Sequence, residues 1–451
     1  MMDMKSNWTM LFNGFGFEVS RLDGKFDLQI LTEHNRNFLE MLLGELNISF
    51  IIVGDILEIH SEEITESSWV QHLERFVDGR TETSFSPNEI PVNKLDVYIS
   101  GLVMQLNRLG CIMVYSCDGH ECRRPYIYFE TADLARMGKS ILEHAGLTVK
   151  RQGKKLTFLT DRKKLPTAAV ELSEITVEQA RKIFLVKDEL INKAKFEDTL
   201  ETVLNIPGVS RNEGLIRAHV MKGLEPFVDN MMVDHYGNIL AEKRFGPGPI
   251  VLLNAHLDTY EDIVEYREII KNEEIWSSSE GILGADDRAG VCVVLVAAQS
   301  IGNSDFKGTV KYIFTVEEES GLCGAREVAE SFLWDVDMAF VIDRRGTSDI
   351  VTSCGGYEPF CTSEFGVALE RVARGAGYND WRTVAGGSSD TAIWARNGIE
   401  SVNLSAGYQF EHTSDEELDV AACYGTYKFL MEILSESRRV WRRIERMGRV
   451  S

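Results

Sequence analysis

Four apolar runs in the second half of the chain end in side chains that bind metal ions or move protons. His256 and Asp258 follow IVLLNA, Glu317, Glu318 and Glu319 follow KYIFTV, Asp343 follows AFVI, and His412 comes shortly after VNLSAGYQFE. A further acidic pair, Asp286 and Asp287 in GILGADDRAG, stands just before an apolar helix, where backbone N–H groups also receive anionic ligands. Taken singly these signals are weak, because an H-x-D or an acidic triplet arises often and reads equally well as a helix cap or solvated charge. Taken together they are strong. Charge beside buried strands is costly unless it is paired or coordinated, and here carboxylates and imidazoles follow one apolar run after another.

The elements that must position these side chains alternate in kind. PIVLLNAHLD, RAGVCVVLVAAQSI, GTVKYIFTVEEE, GAREVAESF, MAFVID, a helix around PFCTSEFGVALERVARGAG, IESVNLSAG and a final helix succeed one another. Alternation of strand and helix implies an α/β fold with a doubly wound, mainly parallel sheet covered on both faces, and such sheets bind ligands beyond the carboxyl ends of their strands. Before this region, Thr176 to about Phe196 reads as a charged connecting helix that starts with the capping pattern T-V-E-Q. The first third holds two α+β modules of β-α-β-β type, FDLQILTEHNRNFLEMLLGELNISFIIVGDILEIHS and YIYFETADLARMGKSILEHAGLTVKRQGKKLTFLT, with Thr32 or Thr131 before the helix and Gly54 or Gly153 at the hairpin turn. Between the modules, residues 63–110 suggest two helices separated by the loop DGRTETSFSPNEIP. The expected organisation is therefore residues 1–170 as an N-terminal region, 171–195 as a connecting helix and 196–451 as the domain that carries the candidate site.

The stretches LNIPGVSRNEGLIRAHV, VDHYGNILA, NAHLDT, ILGADDRAG, TVEEESGLCGA, VIDRRG, GGSSDTAIWARNGI and FEHTSDEEL occur in this order over residues 195–437. This half of the chain resembles the co-catalytic dizinc metallopeptidases, the superfamily of aminopeptidases, tripeptidase T-like enzymes and related carboxypeptidases. The resemblance implies metal-dependent hydrolysis of peptide bonds by a bridging water, as an aminopeptidase, with small N-acyl or other non-peptide amides as alternative substrates and an inactive binding protein as a third possibility. Carried over by position, it implies that Asp286 bridges two ions, that His256 and Asp343 complete one site, and that Glu319 and His412 complete the other. It also implies that Glu318 is the general base and that Asp258 orients the His256 imidazole. Mixed imidazole and carboxylate donors suit zinc, cobalt or manganese better than calcium or magnesium. Only about forty residues separate Asp343 from Gly386, too few for the lid domain of the carboxypeptidase and tripeptidase branch. Tyr408, Arg344 and Arg345 are candidates, by proximity alone, to replace the lid's anion-binding groups, and Asp390 in GGSSDT reads as a family position or a helix cap. With the lid missing, the N-terminal modules are candidates to cover the site or to mediate self-association.

The net charge of -22 over 451 residues argues against nucleic acid and anionic membrane surfaces as partners, leaving a peptide or small amide substrate and a homo-oligomer as expectations. The cluster Arg438, Arg439, Arg442, Arg443 and Arg446 around Trp441 reads as a solvated helix end. Eight scattered cysteines, an N-terminus MMDMKSNW without an apolar leader, and no run of about 18 apolar residues point to a cytoplasmic protein with free thiols. Cys111, Cys117, His120 and Cys122 form a local cluster with two readings. One is a further metal site; the plainer one is a turn at DGH between the strands CIMVYS and PYIYFE, with Cys111 packed inside.

Overall fold

Successive residues of the strand Ile250–His256 enter two different cores, the signature of a sheet buried on both faces. Val251, Leu253 and Ala255 pack with Val310, Tyr312, Phe314, Phe340 and Leu404 on one side. Leu252 packs with Ile313, Ala339, Val341 and Trp394 on the other. The first core is covered by the helices Gly214–Leu224, Ala285–Ser300, Ser363–Gly375 and Val420–Gly448, the second by Cys323–Glu327, Glu330–Leu333 and Asp390–Arg396. Near-continuous burial, with successive side chains entering opposite layers, is what a parallel sheet between two helix layers requires.

The computed structural model describes residues 7–77 and 89–448 and divides into two compact units, Met1–Ile191 and Asn192–Ser451. The stretch DGRTETSFSPN, the MMDMKS terminus and the side chain of Arg446 lie outside the described residues. In the C-terminal unit the four central strands Thr309–Thr315, Ile250–His256, Met338–Arg344 and Glu400–Ser405 are mutually parallel. The margins differ from a wholly parallel sheet. Asn230–Val233 and Ile239–Arg244 form an antiparallel hairpin on one side, and Asp349–Cys354 runs antiparallel to Glu400–Ser405 on the other. Short turns connect the marginal strands, and only helical crossovers return the chain to a parallel register. The residues between Asp343 and Gly386 add strands and a helix to this same sheet, and a small four-stranded sheet follows His256 at 269–278 and 408–419.

In the N-terminal unit a strand precedes each β-α-β-β stretch: Ser20–Leu22, which the sequence did not suggest, and Met113–Cys117, which matches the expected strand CIMVYS. Strands 20–22, 25–27, 56–59 and 50–53 form one sheet, and strands 113–117, 126–129, 155–158 and 149–152 form the other in the same order. Each module is thus hairpin, helix, hairpin; a three-residue strand such as Ser20–Leu22 is too short to show a period. Thr32 and Thr131 cap their helices through the N–H groups of Asn35 and Leu134, and Gly54 and Gly153 turn with φ of 61° and 59°. The two sheets share one core, and Gly101 permits two helices to touch there, since a Cβ would lie 2.2 Å from the Gly14 carbonyl oxygen. Thr176 and Gln179 form a reciprocal capping box at 3.2 and 2.8 Å, but the helix they start runs on to Leu204.

Glu18 lies between Phe17 and Val19 of the N-terminal core, with the Arg108 guanidinium 3.8 Å away. Burial pushes its carboxyl up to about 7, and Arg108 offsets part of that rise. An acid raised on folding stabilises fully below its unfolded value and loses that contribution as pH rises toward 7. Urea unfolding at about pH 5 and about pH 8 should therefore show a smaller fall in midpoint for Glu18→Gln than for the wild type. Equal falls would mean that Glu18 is not the group responsible.

Candidate metal centre

His256 ends its strand, and its imidazole Nε2 lies 3.1 Å from Asp286 Oδ1 and 3.6 Å from Asp343 Oδ1. The other Asp286 oxygen, Oδ2, lies 3.2 Å from His412 Nε2, which is 2.8 Å from Glu319 Oε1. One carboxylate thus spans two imidazoles that are 156 residues apart in sequence and share no element. Each half collects three donor atoms within 4.8 Å of one another: His256, Asp286 and Asp343 in the first, Asp286, Glu319 and His412 in the second. His256 also forms such a group with Glu318 and Glu319, so Glu318 borders both halves.

Local backbone geometry aims these groups. Gly284 takes a left-handed φ of 73°, and Asp286 and Asp287, joined by a cis peptide bond, depart from helical angles before the helix continues to Ser300. Asp287 points the opposite way from Asp286, its oxygens accepting from the backbone N–H groups of His256 at 3.2 Å and Gly290 at 3.0 Å. Arg288 is fully buried and donates to the carbonyls of Leu257 at 2.5 Å and Ile206 at 3.1 Å, fixing the turn that follows His256. At the acidic triplet, past the strand Thr309–Thr315, Glu317 has a left-handed φ of 52°, and Glu318 and Glu319 follow this turn.

Asp258 has no exposed surface and faces both halves of this arrangement. Its carbonyl lies 3.0 Å and its carboxylate 3.3 Å from His256 Nδ1, leaving Nε2 for the metal side. The same carboxylate accepts from the N–H groups of Glu318 at 3.0 Å and Glu319 at 3.1 Å and from the Ser210 hydroxyl at 2.7 Å. One carboxylate thus contacts the imidazole and the backbone of the acidic pair together.

Several positioning groups carried no signal in the sequence. Asn403 exchanges two hydrogen bonds with the Asp343 backbone, at 2.9 and 2.8 Å, and Glu416 accepts from the N–H groups of Gly284 at 2.7 Å and Asp286 at 3.0 Å. The acidic run after His412 contained Glu416, but nothing set it apart from Asp415 or Glu417. Asp390 is buried and accepts from Thr315 at 2.5 Å, while Ser389 caps the helix, so the cap reading of Asp390 is corrected by one residue. The Tyr408 hydroxyl donates to Asp343 Oδ1 at 3.0 Å, Arg345 pairs with Glu411 at 2.9 Å, and Arg344 lies 3.6 Å from Asp349. Tyr260 stacks on His412 with ring centroids 4.2 Å apart, holding the one half-exposed imidazole of the centre. In the basic C-terminal run, Trp441 donates to Asp337 at 3.0 Å and Arg439 lies 3.5 Å from Glu436.

The electrostatics follow from packing this many anions into a site with little water. Burial, reinforced by neighbouring carboxylates, pushes Glu318 well above the usual carboxylate range and Glu319 and Asp390 up to about 7. Hydrogen bonding to Asp286 leads the rise of His412 to about 9; burial works against ionisation of His256, but Asp258, Asp286 and Asp343 outweigh it. Glu318, Glu319, Asp343, Asp390 and both imidazoles are thus shifted toward the form that lowers net negative charge, whereas hydrogen bonds from the imidazoles hold Asp258 and Asp286 below the usual carboxylate range against the effect of burial.

Glu416 gives this framework a test. Truncation to alanine strands two buried backbone N–H groups, each costing about 1–3 kcal/mol. Glu416→Ala should lower the unfolding free energy by about 2 kcal/mol or more in urea titration, and Glu416→Gln, which keeps an acceptor, by less. An unchanged midpoint for the alanine variant would remove Glu416 from the support of Asp286.

Residues 238–432 match Peptidase family M28. Among curated proteins, a peptidase T-like protein of Yersinia pestis is 34% identical over 124 residues, which is 27% of this chain and 30% of the relative. The chain thus spans less than a third of that relative's length. A candidate aminopeptidase of Acetivibrio thermocellus is 23% identical over 327 residues, covering 52% of this chain and 98% of the relative. Among solved structures, the aminopeptidase PepT of Bacillus cereus aligns at a TM-score of 0.49 with 16% identity, over 54% of this chain and 98% of that one. Within the C-terminal unit, residues 238–432 are thus similar to Peptidase family M28.

Proposed function

We propose that residues 196–451 form a catalytic domain that hydrolyses peptide bonds and removes residues from a free N-terminus. The observation that carries the proposal is Asp286, whose two oxygens face two imidazoles, His256 at 3.1 Å and His412 at 3.2 Å. His256, Asp343 and Asp286 would hold one divalent ion of the zinc class, and Glu319, His412 and Asp286 the other. The donor set fits: nitrogen and oxygen atoms lie within 4.8 Å of one another, with buried carboxylates whose charge calls for cations. Bound there, such ions supply Lewis acidity and lower the pKa of water.

The chain's own residues supply the rest. Glu318 is the general base, taking a proton from the attacking water on a carboxylate oxygen and returning it to the leaving amine. Its backbone N–H is tied to Asp258, so the carboxylate that orients His256 also fixes where the base starts. Asp258 is in this sense a positioning residue. Tyr408 and Asn403 hold Asp343, and Tyr260 limits rotation of His412.

A cytoplasmic location is supported by eight free thiols, and no helix among the described residues is long and apolar enough to cross a membrane. Self-association is supported by Leu185, Val186, Leu190 and Ile191, exposed together on the helix that begins at Val177.

A panel of short peptides with free and blocked N-termini, together with N-acyl amino acids, tests the reading. Release of N-terminal residues should cease on chelation and return with zinc. Glu318→Gln should lose about 10²–10⁴-fold in kcat while retaining its metal. Turnover by that variant at the wild-type rate would exclude Glu318 as the base, and cleavage confined to the N-acyl compounds would move the substrate class from peptides to small amides.

A further inference from the structure

The N-terminal unit brings together three donors of which the sequence cluster supplied only two. Cys117 ends the strand Met113–Cys117, His120 lies in the loop that follows, and Asp96 comes from the segment between Val92–Lys94 and the helix Ser100–Arg108. Their ligand atoms lie within 4.8 Å of one another, with His120 Nε2 3.3 Å from Asp96 Oδ2. Cys111 is packed in the hydrophobic core and Cys122 is exposed on the loop, and neither belongs to the group. The four-residue cluster read from the sequence is thus replaced by Asp96, Cys117 and His120.

We propose that Asp96, Cys117 and His120 form a separate binding site for a zinc-class divalent ion. A thiolate and a carboxylate neutralise a divalent charge, and sulfur with imidazole nitrogen selects zinc or cobalt over magnesium and calcium. The cluster also has the supporting structure of a metal site. Asp118, buried behind the loop, holds a carboxylate oxygen 3.5 Å from His120 Nδ1, the arrangement that leaves Nε2 as the donor atom. Asp118 is in turn held by Arg162 at 3.4 Å. Cys117 Sγ receives the Gly119 N–H and the Arg123 guanidinium, each at 3.3 Å; without a cation, burial and the neighbouring Asp96 carboxylate outweigh these hydrogen bonds and raise the thiol. The imidazole is half exposed while Cys117 and Asp96 are buried, so an ion enters from the His120 side and keeps an open position toward solvent.

A nucleophilic cysteine is the rival chemistry, and the geometry disfavours it. The Cys117 sulfur is buried, and the His120 nitrogens face the Asp96 and Asp118 carboxylates, so the site lacks the exposed thiolate and the base directed at it that such a nucleophile needs.

Sulfur separates this site from the M28-type centre, whose donors are nitrogen and oxygen only. Titration of the full chain with cobalt(II) should produce a sulfur-to-cobalt charge-transfer band that is lost in Cys117→Ser and weakened at least about ten-fold in apparent affinity in His120→Ala. Cys122→Ser should leave the band unchanged. Zinc analysis should find one ion fewer per chain in Cys117→Ser than in the wild type, whatever the content of the other centre, with peptidase activity unaffected. Because His120 is at the surface, its variant stays informative if the serine variant folds poorly. Absence of the band from the wild type, its loss in Cys122→Ser, or equal zinc content in wild type, Cys117→Ser and His120→Ala would overturn the proposal.

Discussion

Asp286 stands between His256 and His412, and the geometry of the C-terminal unit can be read outward from that one carboxylate. Two imidazoles can share it only if the strand ending at His256 and the loop carrying His412 arrive at one point. Glu416, from the same loop as His412, accepts the Asp286 and Gly284 N–H groups and ties that loop to the start of the Ala285–Ser300 helix. Asp287 turns away to hold the His256 backbone. The pair therefore fixes two directions at once, one toward the site and one toward the strand beneath it.

Such a concentration of buried charge requires rigid support. Low dielectric makes each unpaired carboxylate expensive and each well-placed hydrogen bond strong. The structure answers with polar side chains aimed at backbone groups: Asp258 toward Glu318 and Glu319, Asn403 toward Asp343, and Arg288 toward Leu257. These contacts leave the donor atoms of His256, Glu319 and Asp343 directed at one another and not at the scaffold. The sheet makes this possible because its parallel centre delivers three strand ends side by side, and the two helix layers remove water from both faces.

The N-terminal unit solves a different problem. Two hairpin-helix-hairpin modules bury one shared core, with a capping threonine and a left-handed glycine at equivalent places in each. What breaks the equivalence is the loop after Cys117, where Asp96, Asp118 and His120 gather around a sulfur. The first module has a two-residue turn at the matching place, between Leu22 and Lys25. The added length of the second is the physical difference that allows donors to collect there.

The sequence by itself determined the α/β character of the second half, because mainly apolar strand runs alternating with helices fit a sheet covered on both faces, and it determined which side chains end those strands. It also marked the threonine caps and hairpin glycines, since those depend on neighbours within a few residues. Tertiary structure decided everything that depends on contacts between distant segments. Asn403, Ser210 and Arg288 are ordinary residues until the fold sets them against Asp343, Asp258 and Leu257. Asp96 lies 21 residues before Cys117, with no pattern linking the two until the chain returns. Likewise the antiparallel margins of the sheet follow from which strand reaches which edge, not from hydrophobic period. Local periodicity records burial and turn geometry; partnership between distant polar groups is written only in space, because each partner is free to be any donor or acceptor that reaches.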